Sequence, residues 1–235
     1  MTPAQAGELF GRNGLPLDDG KIGSLLEYER LLLGWNDKIN LVSRRDTSDV
    51  FTKQILGSVS FLFSYKLAAG STLLDVGTGG GFPGIPLAII HPDIRVTMID
   101  SIQKKMKAVT DMVDQLGLSN IRVLCGRVEE LDPAKVGKFD YVVARGVSSA
   151  SEIVGWCAPL LRKRGPARSA DPGADNGPRK SIVPGSYILL KGGDLTDELA
   201  SLSEVDGSAS VTVRSLGVAG AESQFTEKKV IIITP

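Results

Sequence analysis

Residues 72–87, TLLDVGTGGGFPGIPL, constrain this chain more than any other stretch. They open as a short apolar run interrupted only by Asp75, break into glycines, and restart around Pro83 and Pro86. Proline suits the first turn of a helix, because its φ is already near the helical value and no N–H is needed there. The order predicts a buried strand, a tight turn and a helix in direct succession. Gly77, Gly79 and Gly81 give the turn its backbone freedom, and a helix start presents N–H groups with no partner inside the helix. Such a unit is a cradle for a small molecule.

Glycine turns of this kind also serve dinucleotides, so the pattern alone is weak. Two carboxylates narrow it. Asp75 stands two residues before the first glycine, at the mouth of the strand, where a buried anion can hold an ammonium group directly or through water. A carboxylate there has no use beside a pyrophosphate, since like charges repel. Asp100 ends the next apolar run, 95–99, and a carboxylate at a second strand tip can accept both hydrogens of a ribose diol. An ammonium at the first strand and a ribose at the second describe S-adenosyl-L-methionine better than a nicotinamide dinucleotide. Against this stands a turn that merely connects packed elements, with both aspartates solvated.

From residue 71 onward strands alternate with helices. Strands are predicted at 72–76, 95–99, 121–125, 139–143 and 186–191, and helices at 84–91, 103–117, 148–161 and 196–202. Two β stretches, 210–216 and 228–233, close the chain. Alternation of this kind builds an α/β, mostly parallel sheet with right-handed crossovers and helices on both faces, and the last two strands suit the antiparallel finish of a seven-stranded sheet. Asp75, Gly77, Asp100, Gly126 and Arg145 all fall at strand ends, where open sheets bind ligands. Before residue 67 the apolar residues Ile22, Leu25, Leu26, Leu32, Leu33 and Ile39 recur at helical spacing, followed by a second amphipathic stretch around Val50 to Phe63. The chain thus divides into a helical extension, 1–66, and a sheet domain, 67–235. Trp35, Asn36 and Asn40 read either as a satisfied core corner or as a base-stacking edge.

After the third strand, Val128 and Glu129 can wall an adenine, or Glu129 and Glu130 can simply complement a helix dipole. Past the fourth strand, Arg145 points toward the crevice to hold a carboxylate or position an acceptor, against the alternative of a surface ion pair. Residues 162–185 are rich in proline, glycine and basic residues and nearly devoid of apolar ones. They predict a flexible insertion, either a solvated loop or an arm drawn to RNA phosphates. The formal net charge is zero, so any nucleic-acid partner needs a local basic patch. Cys125 and Cys157 lack motif spacing and read as buried thiols of a reducing compartment, and no metal site is expected. No basic apolar leader and no apolar run of about 20 residues is present, so a cytoplasmic protein without a membrane partner is expected.

These motifs together resemble the bacterial small-subunit ribosomal RNA guanine-N7 methyltransferases, also called the glucose-inhibited division protein B family. The likeness is carried by Trp35-Asn36, Asn40-Leu41, Arg45-Asp46, the block from Asp75 to Leu87, Asp100-Ser101, Arg127 to Glu130, Ala144 to Gly146 and Leu190 to Gly192. It implies a class I, Rossmann-like methyltransferase fold with an N-terminal helical extension, and S-adenosyl-L-methionine as donor. It implies as partner the small-subunit ribosomal RNA, free or in the assembling 30S subunit, and as acceptor a guanine of its decoding-region loop. Gly77 and Phe82 would touch the donor, Val128 and Glu129 would hold its adenine, Asp100 its ribose, and Arg145 would complete the pocket. Where the family commonly has His and Asp in an H-x-x-D-S run, this chain has Gln54 and Gly57 before Ser58. Lys228 and Lys229 follow Glu227 where the family has Arg-His. Those departures are expected to concern RNA or structure more than the donor.

Guanine N7 carries a free lone pair, so attack on a sulfonium methyl needs position and electrostatics rather than an acid–base pair. The one histidine, His91, follows an apolar helix and lies away from the strand tips, so no general base is assigned. Arg145 is given a positioning role, and a monomer is expected. Two other readings compete: a nucleotide-dependent oxidoreductase on a similar sheet, and a non-catalytic RNA-binding or assembly factor.

Overall fold

The computed structural model describes residues 1–43, 47–163, 178–205 and 208–235. Local signals start the first two helices. In α1 (Pro3–Arg12), Thr2 accepts from the Gln5 N–H while the Gln5 side chain returns to Thr2, a reciprocal capping box. In α2 (Asp19–Asn36), Asp18 caps by accepting from the Lys21 N–H. A broken helical run follows: a 3₁₀ turn at Thr47–Asp49, a π-helical segment at Phe51–Leu56, the single turn α3 (Gly57–Val59) and another 3₁₀ turn at Ser60–Phe63. Next come β1 (Tyr65–Lys66), β2 (Thr72–Val76), α4 (Gly84–Ile90), β3 (Arg95–Asp100), α5 (Gln103–Gln115), β4 (Ile121–Cys125), α6 (Pro133–Val136) and β5 (Tyr141–Arg145). The chain finishes with α7 (Ala150–Cys157), β6 (Lys180–Ser181), β7 (Ser186–Gly192), α8 (Thr196–Val205), β8 (Ser210–Ser215) and β9 (Lys228–Thr234).

Seven strands form one sheet in the order β4-β3-β2-β5-β7-β9-β8. The first five in that order run parallel, and β9 is antiparallel to both β7 and β8. The chain proceeds from β2 outward to β3 and β4, then returns to the other side of β2 as β5. That reversal makes the carboxyl ends of β2 and β5 the switch point of the sheet, the place where open α/β sheets bind ligands.

Strand parity distributes the core. Leu73, Val96, Met98, Tyr141, Val143 and Ile188 pack on the face shared with α1, α2, α4 and α5. Leu74, Val76, Ile99, Val142, Ala144 and Leu189 face α7 and α8. Truncating a buried leucine such as Leu73 to alanine would cost about 2–5 kcal/mol. Asp75 and Arg145 share the parity of Leu73 and Val143, so both project toward α4 and the N-terminal helices. Phe10, Leu25, Leu32, Phe51 and Ile55 belong to the same apolar cluster as Leu73, Ile85 and Met98, so the helical extension and the sheet domain share a core.

Three sequence expectations change. The insertion expected at 162–185 is docked at both ends: the Arg162 N–H donates to Phe139 O at 2.8 Å, and Lys180–Ser181 pairs in parallel with Tyr65–Lys66. Ile182 is buried and its carbonyl accepts from Tyr141 Oη at 2.8 Å, while residues 164–177 lie outside the described residues. The helix expected at 148–161 spans only Ala150–Cys157, because Ser149 caps it with Glu152 and Leu160 turns back to meet Phe139. Cys157 is buried as expected, but Cys125 is exposed, since β4 is an edge strand and Cys125 is its last residue. Among the described residues no helix is long and apolar enough to cross a membrane.

Candidate functional site

A cavity of about 290 Å³ opens at the switch point. Gly77, Thr78, Gly79, Gly80 and Phe82 of the turn after β2 form its floor, Asp100 and Lys105 one side, and Arg145, Gly146 and Val147 the other. Leu41, from the segment after α2, closes the remaining wall. Of the residues singled out in the sequence, the cavity brings together Gly77, Gly79, Phe82, Asp100 and Arg145. Asp75, Gly81, Val128 and Glu129 do not line it.

The turn is shaped by close approach. Gly77 has φ +64°, and a Cβ there would lie 2.5 Å from a Val147 methyl. Gly81, at φ +105°, faces Ile85 and the Tyr28 hydroxyl rather than the cavity, so its role is packing. Six of the turn's N–H groups, expected to be offered to a ligand, are consumed internally. Those of Gly77 and Thr78 donate to Ile99 O, those of Gly81 and Phe82 to Thr78 O, that of Gly79 to Asp100 Oδ2 at 3.0 Å, and that of Gly84 to Asp75 Oδ2 at 2.9 Å. A diphosphate cradle depends on such groups being open. With these six spent, the turn offers little of such a cradle, which disfavours the dinucleotide reading.

Asp75, expected to hold an ammonium group directly or through water, does not line the cavity itself. It is fully buried beneath the turn, where Oδ2 accepts from Thr78 Oγ1 at 2.6 Å and from the Gly84 N–H. A Cβ on residue 84 would come within 2.7 Å of that oxygen, so glycine there leaves the room Asp75 needs. Burial pushes its carboxyl up to about 7, opposed by the two hydrogen bonds and by Arg145. Oδ1 is buried without a hydrogen-bond partner. The place of Asp75 is to staple the turn to the start of α4.

Asp100, part exposed at the tip of β3, accepts from Gly79 through Oδ2 and from the Ile102 N–H through Oδ1 at 2.9 Å. A carboxylate has roughly four lone-pair sites, so each oxygen can accept once more from the cavity side. Arg145 lies with its guanidinium carbon 4.7 Å from the centre of the Phe82 ring, a cation–π arrangement. Its Nη1 donates to Gln54 O at 3.1 Å and its Nη2 to Gln54 Oε1. Gln54, expected to concern RNA or structure more than the donor, lies against a cavity residue. Val128 is buried in the one-turn 3₁₀ helix Val128–Glu130, and Glu129 lies 3.8 Å from Arg127, one strand beyond Asp100.

The sequence did not flag Tyr28, Leu41, Gln54, Lys105 or Val147 for this site. Asn36 shows how the extension reaches it. Its Oδ1 accepts from the N–H groups of Leu41 and Val42 at 2.8 and 2.9 Å, which fixes Leu41 as a wall. Trp35 donates to Asp111 at 2.7 Å, as the packing-corner reading requires. Arg45 and Asp46 lie outside the described residues. Lys229 Nζ donates to Gly193 O at 2.7 Å and binds the sheet's own loop.

The family described as rRNA small subunit methyltransferase G matches residues 21–167. A curated protein of that name from Flavobacterium johnsoniae is 35% identical over 92% of this chain and 91% of its own length. Another, from Chlorobaculum tepidum, is 34% identical over 95% of this chain and 94% of its own. Among solved structures, a chain of a fibrillarin/Nop5p complex aligns with TM-score 0.53 and 15% identity over 75% of this chain and 79% of that one. A SAM-dependent methyltransferase from Aquifex aeolicus aligns with TM-score 0.50 and 16% identity over 79% and 92%. These structural likenesses support the class I α/β fold.

Proposed function

The chain belongs to the rRNA small subunit methyltransferase G family, and from that premise we propose that its cavity binds S-adenosyl-L-methionine for methylation of N7 of a guanine in the decoding-region loop of 16S ribosomal RNA. One observation carries the ligand choice. The turn's N–H groups named above are spent inside the protein, while Asp100 and Arg145 line the cavity from opposite sides. An acceptor on one side and a fixed cation on the other fit a ribose diol and an amino-acid carboxylate, while the spent N–H groups leave little of a diphosphate cradle.

When bound, the donor supplies a methyl group made electrophilic by its sulfonium. The chain's own residues hold and orient. Asp100 accepts from the ribose hydroxyls, Arg145 pairs with the carboxylate, and Phe82 keeps the Arg145 plane in place. Val128 and Glu129, beside the tip of β4 and outside the cavity's own lining, hold the adenine where the ligand extends past Asp100. Asp75 supports the turn from below. No proton need leave guanine N7 before it attacks, and the fold agrees. His91 caps the far end of α4, away from the cavity. Alignment of the two reactants at a charged crevice supplies the rate enhancement. The protein acts as a monomer in the cytoplasm, on small-subunit ribosomal RNA free or in the assembling 30S subunit.

The test is mass spectrometry of ribosomal RNA from a strain lacking this chain and from the same strain carrying it again. Loss and return of a single N7-methylguanine in small-subunit RNA is expected. An unchanged set of N7-methylguanines would sink the enzymatic reading. Calorimetric titration of the purified protein with S-adenosylhomocysteine and with NADH separates the donor from a dinucleotide.

A further inference from the structure

Gln54 lies in the N-terminal extension, 91 residues from Arg145, yet it gives that guanidinium two acceptors, its own carbonyl and its side-chain oxygen. The Phe82 ring covers the flat face of the same group. Two acceptors at one edge and a ring beneath fix both the position and the plane of an otherwise long, rotamer-rich side chain. Gln54 itself is placed by the π-helical segment Phe51–Leu56, a rare geometry that recurs at functional sites. That segment is tied to α2, where Glu29 accepts from the Phe51 N–H at 2.9 Å. An amide in this place has a specific merit. It accepts from the guanidinium without cancelling its charge, whereas a carboxylate would hold Arg145 equally well and neutralise it.

We propose that Gln54 is a positioning residue that pre-sets Arg145 for the carboxylate end of an amino-acid-bearing ligand. The inference rests on the donor reading above. Ordering Arg145 before the ligand arrives removes part of the entropy cost of binding. The effect is confined to ligands with that tail, because the nucleoside end meets Asp100 on the other side of the cavity.

The experiment compares S-adenosylhomocysteine with 5′-methylthioadenosine, which lacks the amino-acid tail, by calorimetry on the full chain. Gln54→Met fills the same space without an acceptor, and the backbone carbonyl bond survives. Its affinity for S-adenosylhomocysteine should fall about fivefold, with methylthioadenosine unchanged. Gln54→Glu restores the acceptor but cancels the charge, so it should also weaken S-adenosylhomocysteine alone. Wild-type affinity for both ligands in either variant would overturn the proposal. If Gln54→Met loses both ligands, Gln54→Glu decides: selective loss of the tailed ligand supports the proposal, and equal loss of both overturns it. A wild-type protein that ignores S-adenosylhomocysteine would refute the donor reading instead.

Discussion

The phenol of Tyr28, on α2, donates to the carbonyl of Gly80 in the glycine turn at 2.8 Å, and both groups are buried. The Tyr28 ring also lies 5.4 Å from that of Phe82, at a tilt of 58°. An N-terminal helix thus grips the floor of the cavity directly. Tyr28→Phe keeps the ring and strands the Gly80 carbonyl without this donor, a loss of about 1–3 kcal/mol. Urea unfolding should show a lower midpoint with the slope unchanged. An unshifted midpoint would mean that the turn is held without α2.

Asp75 makes stability depend on pH in a defined direction. Its folded pKa, raised by burial from 3.8 to about 7, exceeds the unfolded one. Between those values the native state holds a proton that the unfolded chain has released. Stability is therefore favoured at low pH and falls as pH rises through that window, by up to about 1.4 kcal/mol per unit. His91, whose pKa burial lowers, acts in the opposite sense below its ordinary 6.5. The measurement is accordingly a difference. Asp75→Asn keeps an acceptor for Thr78 and Gly84 but cannot titrate. Wild type minus Asp75→Asn, followed by denaturant unfolding from pH 4 to pH 7, should slope downward. A flat difference would show that Asp75 is ionised throughout.

Asp100→Ala should weaken S-adenosylhomocysteine about ten- to a hundredfold, from the loss of charged hydrogen bonds to the ribose. The fold should survive, because Asp100 is part exposed and water can reach the Gly79 and Ile102 N–H groups it leaves. Calorimetry reads the affinity and circular dichroism the fold. An unchanged Kd removes Asp100 from the ribose assignment.

The strand tips were legible in the sequence for a simple reason. A buried parallel strand is a short apolar run, and where the run ends in Asp100 or Arg145 the polar residue marks the end of the strand. Gly77 was legible because positive φ has few other occupants. The contributions of α2 and the π-helical segment were not. Tyr28 reads as one more residue on an apolar stripe, and periodicity shows which face of a helix is buried without naming what it packs against. Gln54 reads as an ordinary polar residue until the fold brings β5 beside it. Cys125 was misread because an apolar neighbourhood in sequence does not distinguish an edge strand from a central one.

That last point has a direct check. Cys125 is exposed and Cys157 is fully buried, with burial pushing its thiol up to about 12. The thiolate is the reactive form, so only Cys125 should react with a maleimide in the native protein. Mass spectrometry after brief labelling should find one adduct on the native chain and two after denaturation. Label on Cys157 in the native protein would mean that α7 opens readily.

The start of α5 carries the clearest conflict between stability and the proposed partner. Lys104, Lys105 and Lys107 fall within its first five residues, there is no acidic residue in the first turn, and the N-cap Ile102 makes no side-chain cap. A helix start carries partial positive charge, so lysines there oppose the dipole. They are tolerable if RNA phosphates meet them beside the cavity that Lys105 lines. Reversing the two outer lysines, Lys104→Glu with Lys107→Glu, spares Lys105. The double variant should unfold at a temperature no lower than wild type, because acids suit that end of the helix. Its affinity for small-subunit RNA should fall, and the slope of log K against log salt should shrink by about one for each lysine lost. An unchanged salt slope would place the RNA on another face of the molecule.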